Sequence, residues 1–116
     1  YPKDLTPGCT LQAENLRDNY QKLLDKDITV IGISVDSLKS HKRFAEKKNL
    51  PFILGSDENK EVVSLYGVWI EKSMFGKKYM GTERKSFLID AEGNIKHIIE
   101  KPNVKEHYGQ IIDLFN

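Results

Sequence analysis

The stretch Ile28-Thr29-Val30-Ile31-Gly32-Ile33-Ser34 decides the fold. It is an almost unbroken run of β-branched residues, and such a run fits a strand buried on both faces, as in a parallel sheet. A strand of that kind needs a neighbour on each edge and helices above and below it. The residues on either side supply them. Upstream, Ala13, Leu16, Tyr20, Leu23 and Leu24 recur at helical spacing, which predicts one helix from Pro7 to near Lys26. Downstream, Asp36 or Ser37 can cap a second helix with Leu38, His41, Phe44 and Ala45 on one face.

Further along, Pro51-Phe52-Ile53-Leu54 reads as a short extended piece. Asp57 can cap a third helix carrying Val62, Val63, Leu65 and Tyr66, with Gly67 placed to stop it. From Trp69 to Gly81 the pattern breaks, and an irregular loop is expected. Ser86–Asp90 and Asn94–Ile99 read as strands joined by the turn residues Asp90-Ala91-Glu92-Gly93-Asn94. A last helix carries Val104, Tyr108, Ile111, Ile112 and Phe115. The order predicts a single α/β domain over residues 1–116, with helices on both faces of a sheet. The first helix has no strand before it, although Tyr1-Pro2-Lys3-Asp4 reads as the exit from one. A preceding segment with a central strand is therefore expected.

Composition narrows the function. The 116 residues suffice for one domain, and 18 basic against 17 acidic residues leave a net charge of +1. That balance argues against a nucleic-acid surface or a polybasic membrane patch. No apolar run approaches the ~20 residues of a membrane helix. One cysteine permits no disulfide within these residues and fits a reducing, cytoplasmic setting. His41, His97 and His107 do not fall at metal-ligand spacing with each other or with Cys9, so surface or packed histidines are expected. Trp69 and Tyr66 read as core or loop anchors. Lys72–Gly76 reads as a mobile, solvated loop, with contact to a reductant as the alternative.

The chemistry centres on Thr6-Pro7-Gly8-Cys9. Thr6 suits an N-cap and Pro7 the first helical position, where a missing N–H costs nothing. Cys9 then lies in the first helical turn, where unpaired N–H groups and the positive end of the dipole favour an anion. A thiol becomes a strong nucleophile as the thiolate. The same N–H groups can receive the charge that builds on an oxygen when an O–O bond breaks. Thr6 is placed to hydrogen-bond the sulfur or a bound oxygen, and Pro2 to shield the sulfur from water. The bland alternative is a small buried cysteine and a threonine that only caps.

Pro2-Lys3-Asp4-Leu5-Thr6-Pro7-Gly8-Cys9 resembles the peroxiredoxin signature of Pro, three residues, Thr, two residues, Cys. With Tyr1 and Thr10 added it is similar to the peroxiredoxin Q, or bacterioferritin comigratory protein, branch. Gly32–Ser37, Tyr66–Trp69 and Gly81–Asp90 extend the likeness over essentially the whole chain. The resemblance implies a thioredoxin-like fold, a mixed central sheet flanked by helices, lacking here an N-terminal segment with a central strand. It implies reduction of hydrogen peroxide and organic hydroperoxides without metal, flavin or haem. Cys9 would be the peroxidatic cysteine, Thr6 would orient the peroxide, Pro2 would shield the site, and Arg84 would hold thiolate and peroxide together. From the sequence alone Arg84 is an ordinary charge before a strand. Many members of the branch carry a resolving cysteine at the position of Glu14, and often glutamate at Gln12. A one-cysteine mechanism is therefore expected, resolved by an external thiol such as thioredoxin, glutaredoxin or a small thiol. Relatives in this branch are often monomers, and a monomer is expected, with a weak dimer as the alternative. The alternative function is a peroxide sensor or redox relay that forms mixed disulfides with a partner. A dithiol–disulfide oxidoreductase is disfavoured for want of a Cys-x-x-Cys pair.

Overall fold

The run that decides the fold forms strand β1 over Ile31–Ser34 only. It pairs in parallel with β2, Ile53–Ser56, in the register Ile31↔Ile53 to Ser34↔Ser56. The expectation of burial on both faces is not met. Ser34 is fully buried, and Val30 and Leu54 pack on the core, but the partners Ile31 and Ile53 are 58 % and 65 % exposed. The cause is that no described residue covers the face on which these two isoleucines stand. The computed structural model describes residues 1–115.

Helix α1 spans Pro7–Asp18 and α2 spans Tyr20–Leu24, so the single helix expected to run to Lys26 is broken at Asn19. Asn19 leaves the helical region at ψ 10° and turns its amide back to the Asn15 carbonyl. Helix α3 covers Leu38–Lys48 with Ser37 as the cap, its hydroxyl oxygen accepting from the Ser40 N–H. His41 and Phe44 face inward as expected, whereas Leu38, in the first turn, is 71 % exposed. Helix α4, Glu61–Leu65, starts under the Asp57 carboxylate, which accepts from the Glu61 and Val63 N–H groups. Gly67 ends that segment at a φ of +70°.

Residues 69–81 are not an irregular loop. They belong to an antiparallel hairpin of β3, Trp69–Met74, and β4, Lys77–Thr82. Its two-residue turn is Phe75-Gly76, both at positive φ (51° and 78°), the geometry that matches strand twist. The hairpin was hidden because most of its residues are exposed, so no alternation of apolar and polar residues marks it. A second hairpin joins β5, Ser86–Ile89, to β6, Ile95–Ile99, with a register shift at Ile89. The Asp90 side chain closes the turn by accepting from Glu92 and Asn94. The last helix, α5, is His107–Phe115; it starts after Val104.

Among the described residues the strands form three two-stranded pairs, one parallel and two antiparallel. A common core unites them: Ala13 and Leu16 of α1, Leu23 of α2, Phe44 of α3, Leu88 and Ile99 of the second hairpin, and Ile111 of α5. Full burial of a side chain such as Leu23 or Phe44 contributes about 1.5–3 kcal/mol. The start of α1 and the segment between β4 and β5 are joined by the hydrogen bonds of Arg84 to Cys9 and Gln12, and the site lies there.

Candidate functional site

Cys9 is the third residue of α1 and is 2 % exposed. Its sulfur accepts a hydrogen bond from Arg84 Nη2 at 3.2 Å. Arg84 Nη1 donates to Gln12 Oε1 at 2.7 Å, so Gln12, one turn after Cys9, fixes the plane of the guanidinium. A cation and a helix N-terminus therefore converge on one sulfur.

The segment carrying Arg84 is pinned at both ends. On one side the Glu83 N–H donates to the Val68 carbonyl at 2.7 Å, which continues the β3–β4 ladder. On the other, the Ser86 hydroxyl meets His107 Nε2 at 2.7 Å. Gln110 Oε1 already accepts from the Asn103 N–H, so it also accepts from His107 Nδ1–H and leaves Nε2 bare for the serine. Burial lowers the pKa of His107; the Gln110 hydrogen bond opposes this in part, and the nearby Arg84 charge adds to it. His107 is thus a packed histidine, 1 % exposed, as is His41 at 4 %; His97 is exposed.

Thr6 occupies the N-cap position of α1 with extended backbone, and Pro7 is at the first helical position. The cap is not made by the side chain. The Thr6 hydroxyl donates instead to the Lys3 carbonyl at 2.8 Å, which leaves its lone pairs free to accept. Pro2 is half-buried on the same loop. The structure therefore brings Arg84 into direct contact with both Cys9 and Gln12, with Thr6 three residues before the cysteine and Pro2 on the loop that leads into α1.

Sequence reasoning missed Gly8. A Cβ at this position would lie 3.0 Å from Arg84 Nη2, so a side chain here would crowd the guanidinium where it bonds the sulfur and push it aside by a few tenths of an ångström. No sequence signal separates this role from that of an ordinary small helical residue. The arrangement can do two things chemically. It stabilises a sulfur anion, and it offers the same donors to an oxygen on which charge develops. Among the described residues no helix is long and apolar enough to cross a membrane.

Known proteins share this framework. A family model for the AhpC/TSA family matches residues 1–98. Peroxiredoxin Bcp of Escherichia coli is 47 % identical over 113 residues, covering 97 % of this chain and 72 % of that protein. Peroxiredoxin Bcp of Bacillus subtilis is 44 % identical over 112 residues, covering 97 % and 71 %. A structure of the bacterioferritin comigratory protein of Xanthomonas campestris, studied for alkyl peroxide reduction, superposes with a TM-score of 0.94 at 32 % identity over 99 % of this chain and 72 % of that one. A peroxiredoxin Q mutant of Xylella fastidiosa gives a TM-score of 0.93 at 30 % identity, covering 99 % and 71 %. The three strand pairs and five helices are thus those of the thioredoxin-like peroxiredoxin fold, as the resemblance implies. With its cysteine, its helix start and its arginine in the arrangement described above, the chain belongs to the AhpC/TSA family, in the peroxiredoxin Q or bacterioferritin comigratory protein branch.

Proposed function

We propose that this protein is a thiol-dependent peroxidase in which Cys9 is the peroxidatic residue and residues 1–116 act as one catalytic domain. The observation that carries the reading is the 3.2 Å hydrogen bond from Arg84 to the Cys9 sulfur at the start of α1. The thiolate attacks the distal oxygen of a hydroperoxide, an S–O bond forms and the O–O bond breaks. Cys9 becomes a sulfenic acid, and the departing oxygen leaves as hydroxide or alkoxide and takes a proton from solvent to become water or an alcohol. Arg84 and the free N–H groups of the first turn hold the departing charge. The Thr6 hydroxyl oxygen accepts a hydrogen bond from the peroxide O–H and orients it, and Pro2 limits access of bulk water.

These 116 residues contain one cysteine, and Glu14 stands where a resolving thiol would be. The sulfenic acid is attacked by a thiol from outside these residues, with loss of water. A second thiol then releases Cys9 and carries away a disulfide. Thioredoxin, glutaredoxin and small thiols all have this chemistry, in a reducing cytoplasm and with the protein working as a monomer.

Trapping tests the reading. After one equivalent of hydrogen peroxide, dimedone should add once per chain, at Cys9. A Cys9→Ser protein should neither add the label nor consume peroxide; continued consumption by Cys9→Ser would refute the assignment. The lone cysteine also motivates the sensor reading. Steady turnover with a thiol reductant favours the enzyme, whereas a stable mixed disulfide without turnover favours the sensor.

A further inference from the structure

Five residues before Cys9, the carboxylate of Asp4 is buried at 1 % exposure against His41, which is itself 4 % exposed. Three donors converge on that carboxylate: the Tyr1 hydroxyl on Oδ1, and Ser40 Oγ at 2.8 Å and His41 Nδ1 at 2.6 Å on Oδ2. Burial raises the pKa of the Tyr1 hydroxyl, and its hydrogen bond to Asp4 raises it further, so the phenol stays a donor. The Asp4 N–H donates to Asp36 Oδ2 at 2.9 Å. On the far side of the ring, His41 Nε2 donates to the Gly55 carbonyl of β2 at 3.0 Å. Carboxylate and imidazole atoms of Asp4, Asp36 and His41 lie within 4.8 Å of one another, a spacing that could hold a metal ion. The hydrogen bonds already made within the protein account for those atoms without one.

The next residue, Leu5, stands at a φ of +61°, a left-handed conformation costly for a residue with a side chain. Such a conformation persists only where its surroundings fix the chain on both sides. After Leu5 the fixing contact is the start of α1; before it, the contact is Asp4. The turn at Leu5 sets the direction of Thr6, whose hydroxyl is tied back to Lys3.

We propose that the buried Asp4–His41 pair is a positioning device for the site: it anchors the Leu5 turn to α3 and β2 and thereby aims Thr6 at a peroxide held over Cys9. The pair does not touch the sulfur or the Arg84 guanidinium. Its loss should disturb peroxide placement more than thiolate formation. This rests on the peroxidase reading above, and the experiment separates the two.

Two rates are measured on the reduced protein, oxidation by hydrogen peroxide and alkylation by iodoacetamide. Alkylation needs only the thiolate, and oxidation also needs the aimed loop. In Asp4→Ala and His41→Ala the peroxide rate should fall about tenfold or more, a loss in keeping with small misplacement of reacting groups. The alkylation rate should stay within about twofold, since the helix start and Arg84 are untouched. Asp4→Asn, which keeps the shape and can still bond the ring, should recover most of the peroxide rate. Where an alanine variant fails to fold, Ser40→Ala removes one donor from the carboxylate and should show a smaller selective fall. Equal losses in the two rates, or no loss in either, would overturn the proposal. A wild-type peroxide rate no greater than that of free cysteine would instead sink the peroxidase reading.

Discussion

Arg84 and Cys9 are 75 residues apart in sequence, yet Nη2 of one donates to the sulfur of the other at 3.2 Å. The contact joins the segment after β4 to the first turn of α1. A hydrogen bond to a charged group contributes about 1.5–3 kcal/mol. Arg84→Ala should therefore slow peroxide reduction about 10- to 100-fold. Stopped-flow oxidation of the reduced variant checks this, and a rate equal to wild type would show that the guanidinium is a bystander.

Gly8→Ala tests the same contact without removing either partner. The new methyl group would meet Nη2 at 3.0 Å, and the guanidinium must shift by a few tenths of an ångström, which lengthens or bends its hydrogen bond to the sulfur. Alanine is a better helix former than glycine, so the thermal midpoint should hold or rise. The expected result is a folded, slower enzyme. Unchanged kinetics in Gly8→Ala would mean that the distance between Arg84 and Cys9 does not limit the reaction.

Gln12→Ala removes the acceptor that fixes the guanidinium plane, the 2.7 Å bond to Nη1. The charge stays but its aim is lost, so the peroxide rate should fall less than in Arg84→Ala, about 3- to 10-fold. A loss as large as that of Arg84→Ala, measured in parallel, would show that Gln12 acts on the reaction by another route.

His107 makes stability depend on pH. Its pKa is lowered from 6.5 in the folded protein, chiefly by burial. Between the folded and unfolded values the unfolded chain binds more protons, so its stabilising contribution is complete above pH 6.5 and is lost as pH falls through the folded value. Urea midpoints should drop from pH 7 toward pH 5, with His107 contributing at most about 1.4 kcal/mol per pH unit. His107→Gln should flatten that slope. The same slope in both proteins would remove His107 from the explanation.

Much of this was legible in the sequence, for physical reasons that differ by element. The helix start at Thr6-Pro7-Gly8-Cys9 was readable because proline and the N-cap have positional preferences. The hairpin of β5 and β6 was readable from its turn residues. The β3–β4 hairpin was not, because its strands are exposed on most positions and its turn uses Phe75 at positive φ where asparagine or glycine would be the signal. The doubly buried strand was over-read, since β-branched residues also populate an open face, as Ile31 and Ile53 do. At the site, the cysteine was legible from local chemistry, whereas Arg84 was legible only through family resemblance. Asp4 and His41 were not legible at all. They are 37 residues apart, and nothing local marks an acid and a histidine as partners.

The most direct measurement is the second-order rate of oxidation of reduced wild-type protein by hydrogen peroxide, followed by stopped flow beside free cysteine at the same pH. With a sulfur held between a helix N-terminus and Arg84, the protein should react orders of magnitude faster than the free amino acid, and the product should be one sulfenic acid at Cys9. A rate no faster than that of free cysteine would contradict it.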